Sequence, residues 1–488
     1  VTLSGSRDDE AEDDEETGLG KLTGTIDGGY IKKVEPSEGV EGVEGTGDRS
    51  LVFSSYDNNF NGTFIGFLTV ELKSSTVTLK GENKAFQADT ITIDKNSTLI
   101  FSGAGSTIHS LDGGTAAFSG EGSLKFSTDM TFGSNIEKLT GTISAGMKTV
   151  TKTETDENGE ETTTETEEKA TLILESELFD SVSLGGSGNI ILAGETAENG
   201  TSIKGSFSDD ATLYTNNRNV LITEGTFANI DLGSNVEVTE DLTLKFKFTS
   251  SKTVAVKKDI FLGNTTGESK VIFTGDGSKF SFEGKLYGDE KSSSRTLAFE
   301  DYSGSFTGNI ESITRLELRG NTKVSFHAAS SQSGATEFVF DVSGRTSSYS
   351  SSAMMSVQDN ILFDLGAAAT RNIIVDAEKL GSGGSFVLVT STDAMTALLN
   401  QTFTVYETGS DTPAFDLTVG GGIISWNNYD WKLELNSSST SLTLSWTRST
   451  TLTQTTAAMM SSSPWTEDLQ RSRNTSLFST SLAAPSLF

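Results

Sequence analysis

From about residue 51 onward the chain is built of short runs in which every second position is apolar, separated by polar corners. In ADTITIDKNSTLIFSG (88–103), Ile91 and Ile93 alternate with polar residues, Asp94-Lys95-Asn96-Ser97 interrupts, and Leu99 and Phe101 resume the alternation. A period of two predicts strands with one buried face, and the interrupting cluster predicts a turn. The same phrase returns as VELKSSTV (70–77), LELRGNTKV (316–324) and, in a related form, IDLGSNVEV (230–238). Asn and Gly at the corners supply backbone conformations that β-branched residues resist. No stretch carries a convincing 3.6-residue period. With no helices to cross over between parallel strands, the crossovers must be further short strands. The pattern therefore predicts an all-β chain wound as a β-solenoid, its rungs stacked about 4.8 Å apart.

One block occurs twice, which strengthens that reading. Leu51, Phe53, Tyr56, Phe60 and Gly62 match Leu297, Phe299, Tyr302, Phe306 and Gly308 at a constant offset. Glu71, Leu72 and Thr76 match Glu317, Leu318 and Thr322, and Thr69 matches Thr314 after a one-residue slip. A chain that reuses one unit so far apart is built of stacked units.

Three regions break the rhythm. Residues 1–50 hold the acidic run DDEAEDDEE (8–16), a solvated segment, and the loop-like PSEGVEGVEGTGD (36–48), and they lead into the solenoid. Residues 148–170 (KTVTKTETDENGEETTTETEEKA) alternate Thr with charge on both sides of Asn158-Gly159, a strong two-residue turn signal. With no apolar face this segment is not core. It reads as a polar hairpin or mobile loop projecting from the 51–335 solenoid, or as a disordered insertion. Residues 336–446 are denser in apolar residues and hold three of the four Trp, namely Trp426, Trp431 and Trp446. A solenoid must close its last rung or leave an edge that pairs with other chains, so this region is expected to be a β-rich C-terminal cap. Residues 447–488 read as a Ser/Thr-rich linker and tail, with TEDLQRSRN as one short helix.

Composition narrows the partners. The formal net charge is −31, which argues against nucleic acid and against adsorption to anionic lipid. Hydrophobic residues are 34 %, below a typical globular domain, which a solenoid tolerates because each rung buries only a narrow interior. The 29 Phe and the recurrent alternation exclude full disorder. Cysteine is absent, so disulfide scaffolds and thiolate metal sites are excluded. A long secreted chain without cysteine also suits export through a narrow pore. The chain begins at Val1 with no signal peptide, as expected of a mature or excised segment, and no apolar run is long enough for a transmembrane helix.

Together, the phrases ITIDKNSTLIF, LELRGNTKVSF and VELKSSTVTL, their lead-ins NNFNG and GSFTG, and the closing series FVFDV, ILFDL, IIV and GSGGSFVLV resemble the passenger region of bacterial autotransporter-type surface proteins over roughly 50–450. The resemblance implies a right-handed parallel β-helix and display at the cell surface or secretion by a Gram-negative bacterium. It also implies an outer-membrane barrel that would follow the cap, for which too few residues remain here. Phe132-Gly133-Ser134-Asn135, Phe261-Leu262-Gly263-Asn264 and Phe306-Thr307-Gly308-Asn309 also fit the FxxN phrase of chlamydial polymorphic outer-membrane proteins. The companion GGA-type phrase has only Gly113-Gly114-Thr115 as its nearest counterpart, and the lack of cysteine departs from that family.

No residue set announces a reaction. The two histidines, His109 and His327, sit in strand-like surroundings away from any nucleophile-elbow sequence. GDGSKF (275–280) falls short of both a serine-protease motif and a calcium-binding nonapeptide, and reads as a turn. Asp57-Asn58-Asn59 and Asp156-Glu157-Asn158 offer oxygens for calcium but lack EF-hand spacing. GSGG (381–384) and GGG (420–422) have neither the following helix nor the Lys of a phosphate loop. The 67 acidic residues select no carboxylate pair for glycan hydrolysis, and the aromatics fall mostly on interior-phase positions. The expectation is a non-enzymatic, adhesin-like rod with no cofactor, metal or catalytic residue. It presents the loop around Asp156, Asn158 and Gly159 to a host surface protein or glycan, as a monomer or self-associating. The rivals are a β-helical glycan hydrolase or lyase, revealed by turnover, and a structural coat or matrix protein, revealed by polymerisation.

Overall fold

The computed structural model describes residues 2–5, 25–27, 49–155, 161–208, 210–216, 218–233, 241–263, 267–288 and 294–311. Beyond these it describes 313, 315–319, 322–326, 332–333, 337–341, 352–357, 370–375, 383–389, 395–396, 399–407, 409–436 and 441–449. The acidic run 8–16, the loop 36–48, the phrases 236–238 and 361–365, and everything after 449 lie outside the described residues.

Nearly all the regular secondary structure among the described residues is strand. Parallel pairing dominates and produces a solenoid-like stack of two main sheets. Among the described residues the larger sheet has 30 strands. The other has nine, Met130–Phe132, Thr171–Leu174, Asn189–Leu192, Thr212–Tyr214, Asn229–Asp231, Ile260–Phe261, Lys285–Tyr287, Asn309–Glu311 and Gln332–Ser333, each parallel to the next. Thr2–Gly5 and Thr25–Asp27 join the first rung through parallel pairs with Val52–Tyr56 and Thr63–Ile65.

The period-2 pattern explains the register. A slip of one residue would turn a strand's apolar set outward, so equivalent phases stack. Val77, Leu99, Leu124, Ile143 and Leu184 pair in succession and are all buried. Phe101 stacks on Phe126 with centroids 5.4 Å apart and planes 10° apart. The corner after Ile93 is held by Asp94, whose Oδ1 accepts from the Ser97 hydroxyl at 2.5 Å and the Asn96 N–H at 3.1 Å, and whose Oδ2 accepts from the Ser74 N–H at 3.0 Å. Slight burial pushes this pKa up, but those bonds and the Lys73 charge outweigh it and hold the carboxyl below its usual range. Gly120 has φ 104° at the next corner, and a Cβ there would sit 2.0 Å from the Ile93 carbonyl oxygen, so only glycine fits.

The duplicated block corresponds to a duplicated device. Strands Ser50–Phe60 and Ser294–Phe306 are long because each is two short strands joined at a left-handed residue, Ser55 (φ 50°) and Asp301 (φ 47°). The first halves pair with Phe67–Lys73 and Arg315–Arg319, the second with Thr76–Leu79 and Lys323–Phe326. At each bend a buried tyrosine folds back. The Tyr56 hydroxyl donates to the Asn59 carbonyl at 3.1 Å, and that of Tyr302 to the Ser305 carbonyl at 2.8 Å. A hydroxyl from the next rung repairs the broken ladder. Ser75 Oγ accepts from the Tyr56 N–H and donates to the Phe53 carbonyl, and Thr322 Oγ1 does the same for Tyr302 and Phe299. Ser75, not Thr76, is therefore the counterpart of Thr322, because Thr76 and Lys323 begin equivalent strand pairings one residue later. Burial, then the Asp276 charge, holds the Tyr302 phenol far above its ordinary pKa, so it stays a donor. Tyr302→Phe is expected to cost about 1 kcal/mol by removing the donor to a half-buried carbonyl. Thermal unfolding of this variant checks it, and an unchanged melt refutes the role of the hydroxyl.

The parallel stack runs through Glu337–Asp341, Ser352–Val357, Thr370–Val375 and Gly383–Val389 to Thr402–Glu407. There the pairing reverses. Pro413–Thr418 turns back antiparallel on Thr402–Glu407, and Ser441–Arg448 lies antiparallel on both Gly383–Val389 and Tyr429–Leu435. Trp431 and Trp446 are cross-strand partners with centroids 5.6 Å apart, both buried. These hairpins cover edges that a parallel rung would leave open.

Candidate functional site

The Thr/Glu-rich segment is a hairpin. Met147–Thr155 and Glu161–Lys169 pair antiparallel from Met147↔Lys169 to Thr155↔Glu161. Threonine favours extended backbone, and charge on both faces prevents either from entering the core. Every described side chain from Thr151 outward is exposed up to Glu168 on the return strand. Alternation sorts the two faces. One presents Lys148, Val150, Lys152 and Glu154 opposite Glu168, Thr166, Thr164 and Thr162, with Lys152 Nζ 3.5 Å from Glu168 Oε1. The other presents Thr149, Thr151, Thr153 and Thr155 opposite Glu167, Glu165, Thr163 and Glu161, a threonine surface carrying three carboxylates and no lysine. The tip residues Asp156, Asn158 and Gly159 lie outside the described residues.

The root of the hairpin is tied to the solenoid. Gly146 N–H donates to the Phe126 carbonyl at 2.7 Å, and Ala170 N–H donates to the Gly146 carbonyl at 2.9 Å, so the rung closes beneath the insertion. Lys148 pairs with Asp129, whose other oxygen accepts from the Thr171 N–H at 2.8 Å. Lys169 Nζ donates to the Asp210 carbonyl at 2.6 Å, and the Asp210 carboxylate pairs with Lys258. Partial burial, then the neighbouring Lys258 cation, lowers the Lys169 pKa. The return strand leads directly into Thr171–Leu174, so the hairpin stands at the rim of the nine-stranded sheet.

The other sequence candidates are not brought together. His109 is exposed at the end of Thr107–His109, and His327 lies outside the described residues. Asp57, Asn58 and Asn59 sit in a strand, where Asn58 Oδ1 accepts from the Asn59 N–H and the Asn59 carbonyl accepts from Tyr56. Asp276 accepts from the Ser278 N–H at 3.0 Å in a one-turn 3₁₀ segment, Gly277–Lys279. Among the described residues no three His, Asp or Glu side chains converge as metal ligands.

One feature escaped the pattern reading, which assigned aromatics to the interior. Tyr214, Phe261 and Tyr287 are partly exposed, while their neighbours Leu213, Ile260 and Leu286 are buried. Their strands are only two or three residues long, too short for alternation to fix which face is out. The signal available in the sequence was the recurrence of a leucine or isoleucine followed directly by an aromatic residue or Asp at successive rungs. Comparison with known proteins finds no matching family model, no matching curated protein and no matching solved structure.

Proposed function

We propose that the protein is a surface-displayed or secreted adhesin-like rod of the autotransporter-passenger type, a right-handed parallel β-helix that holds the 147–169 hairpin away from its axis. The observation that carries this reading is the hairpin itself, nine residues long on each strand, exposed on both faces and rooted in a rung that closes without it. An isolated two-stranded ribbon contributes little stability, so a chain that keeps one on a closed rung is using it for contact. The partner is a host surface protein or a glycan, and weak contacts along a rigid rod add through effective concentration.

The test is a binding array of extracellular-matrix proteins and glycans, run with the intact chain and a chain lacking 147–169. Because Gly146 already bonds Ala170, the deletion is expected to melt with the wild type. Saturable binding by the intact chain and at least tenfold weaker binding by the deletion is the expected result. Glycan cleavage would replace the reading with that of a hydrolase or lyase, and concentration-dependent polymers without binding would replace it with that of a coat protein.

A further inference from the structure

The nine-stranded sheet carries a second surface that the adhesin reading does not use. Its in-register pairs place Ile173, Ile191, Tyr214, Asp231, Phe261 and Tyr287 in one row. The residue before each is buried, and the row itself is partly exposed at every position but Asp231, which is buried. Parallel strands are spaced about 4.8 Å apart, so the row extends about 24 Å along the stacking direction. The equivalent outward row of the larger sheet runs through Thr78, Ile100, Lys125 and Ser144, without an aromatic residue.

The row has the chemistry of a recognition surface. Phe261 and Tyr287 lie 5.0 Å apart, tilted 46°. Lys285 Nζ sits 4.4 Å from the centroid of the Tyr287 ring. Asp231, between Tyr214 and Phe261, is 8 % exposed and its Oδ1 accepts from the Gly233 N–H at 2.9 Å. Burial, then the Asp231 charge, raises the Tyr214 pKa against a lowering bond from Thr212, so its phenol is a neutral donor. The row beside it is tied from rung to rung. Asn189 Oδ1 accepts from the Thr212 N–H at 3.0 Å, and Asp259 Oδ1 accepts from the Lys285 N–H at 3.0 Å.

We propose that this row is a binding platform for a neutral polysaccharide laid along the solenoid, its pyranose rings stacked on Tyr214, Phe261 and Tyr287 and its hydroxyls reaching Lys285 at the margin. A pyranose has an apolar C–H face and a polar rim, and the row offers an apolar aromatic strip with a polar margin. Charge argues against a polyanion, because the chain as a whole carries −31. The platform is rooted in the sheet and does not depend on the hairpin.

Affinity electrophoresis of the full chain tests it, in native gels containing hydroxyethylcellulose, galactomannan or xylan, with alginate as the polyanion. The expected result is retardation in at least one neutral gel and none in alginate. Y214T/Y287T removes two rings at strand positions that threonine tolerates and is expected to weaken retardation about tenfold or more. Y214F/Y287F is expected to retain most of it, and deletion of 147–169 to retain it fully. Circular dichroism melts show which variants are folded. If Y214T/Y287T melts early, Tyr214→Thr and Tyr287→Thr are read singly. No retardation in any neutral gel, retardation unchanged by loss of the rings, retardation in alginate alone, or retardation lost with the hairpin each overturns the platform. Only the last of these leaves the hairpin as the contact site.

Discussion

Phe273→Ala is expected to cost the solenoid about 3–5 kcal/mol, the range for removing a fully buried aromatic side chain and leaving its cavity. Phe273 is completely buried and stands in a stack that crosses three rungs. Its ring lies 4.8 Å from Phe246 with planes 14° apart, and 5.4 Å from Phe299 with planes 22° apart. Phe306 meets it edge-on at 5.5 Å, and Phe280 lies 5.3 Å away. The neighbours are strands held by parallel ladders on both sides, so they cannot collapse far into the space. In a stacked architecture each rung contacts its neighbours alone, and the loss is local. Amide exchange should rise in Leu242–Phe248, Glu268–Asp276 and Ser294–Phe306, while Ser123–Phe126 stays protected. Phe273→Leu should cost less than half as much. Uniform loss of protection along the chain would show one cooperative unit and defeat the rung-by-rung account.

How much of this was legible in the sequence depends on how local each cause is. The interior columns were legible, because Ile91, Ile93, Leu99 and Phe101 announce their phase within one strand–turn–strand phrase and all four are buried. The bend under Tyr56 and Tyr302 was half legible. The repeat marked both tyrosines, but the repairing hydroxyl comes from the next rung, and one extra residue in the second turn moved Thr322 opposite Ser75 instead of Thr76. The hairpin was one of the readings that the Thr and Glu alternation around Asn158-Gly159 left open beside a mobile loop and a disordered insertion, and only the pairing of the two strands decides between them. The aromatic row was legible only as a recurring pair of residues, because what makes it a surface is the stacking of six separate strands at intervals of about 17–30 residues, a regularity of registers and not of neighbours.

Glu71 and Glu317 show the same limit inside the duplicated block. They occupy equivalent places, each opposite the outward residue of a bent strand, Val52 and Ala298. The Glu71 side chain is 34 % exposed and pairs with Lys73 at 2.5 Å, an ordinary surface contact. The Glu317 side chain is 2 % exposed and sits between two cations, Lys270 Nζ at 2.7 Å and an Arg319 guanidinium nitrogen at 2.6 Å. Lys270 belongs to a strand two rungs away, and its side chain crosses the intervening strand at Thr296 and Ala298, both fully buried. Those small residues give the lysine stem a flat path over the sheet. No comparison of the two repeats in sequence contains that crossing.

The consequence is a large and asymmetric stability effect at Glu317. Glu317→Leu is expected to cost about 3–5 kcal/mol, because it strands the Lys270 ammonium, whose side chain is only 11 % exposed, without its counter-charge. Coulomb attraction between buried partners repays their desolvation only while both are present. K270M/E317L should therefore recover most of the loss, since an apolar pair of similar volume carries no desolvation penalty. Lys257–Glu283, with side chains 50 % and 55 % exposed, is the built-in contrast, and removing that pair should change stability by no more than about 1 kcal/mol. Salt separates the two further, because ions screen the exposed pair and reach the buried one far less. Chaotrope unfolding in low and high salt measures all of this, with exchange across Arg315–Arg319 locating it. If Glu317→Leu unfolds with the wild type, or if K270M/E317L is no better than Glu317→Leu, the carboxylate is not the buried counter-ion of Lys270.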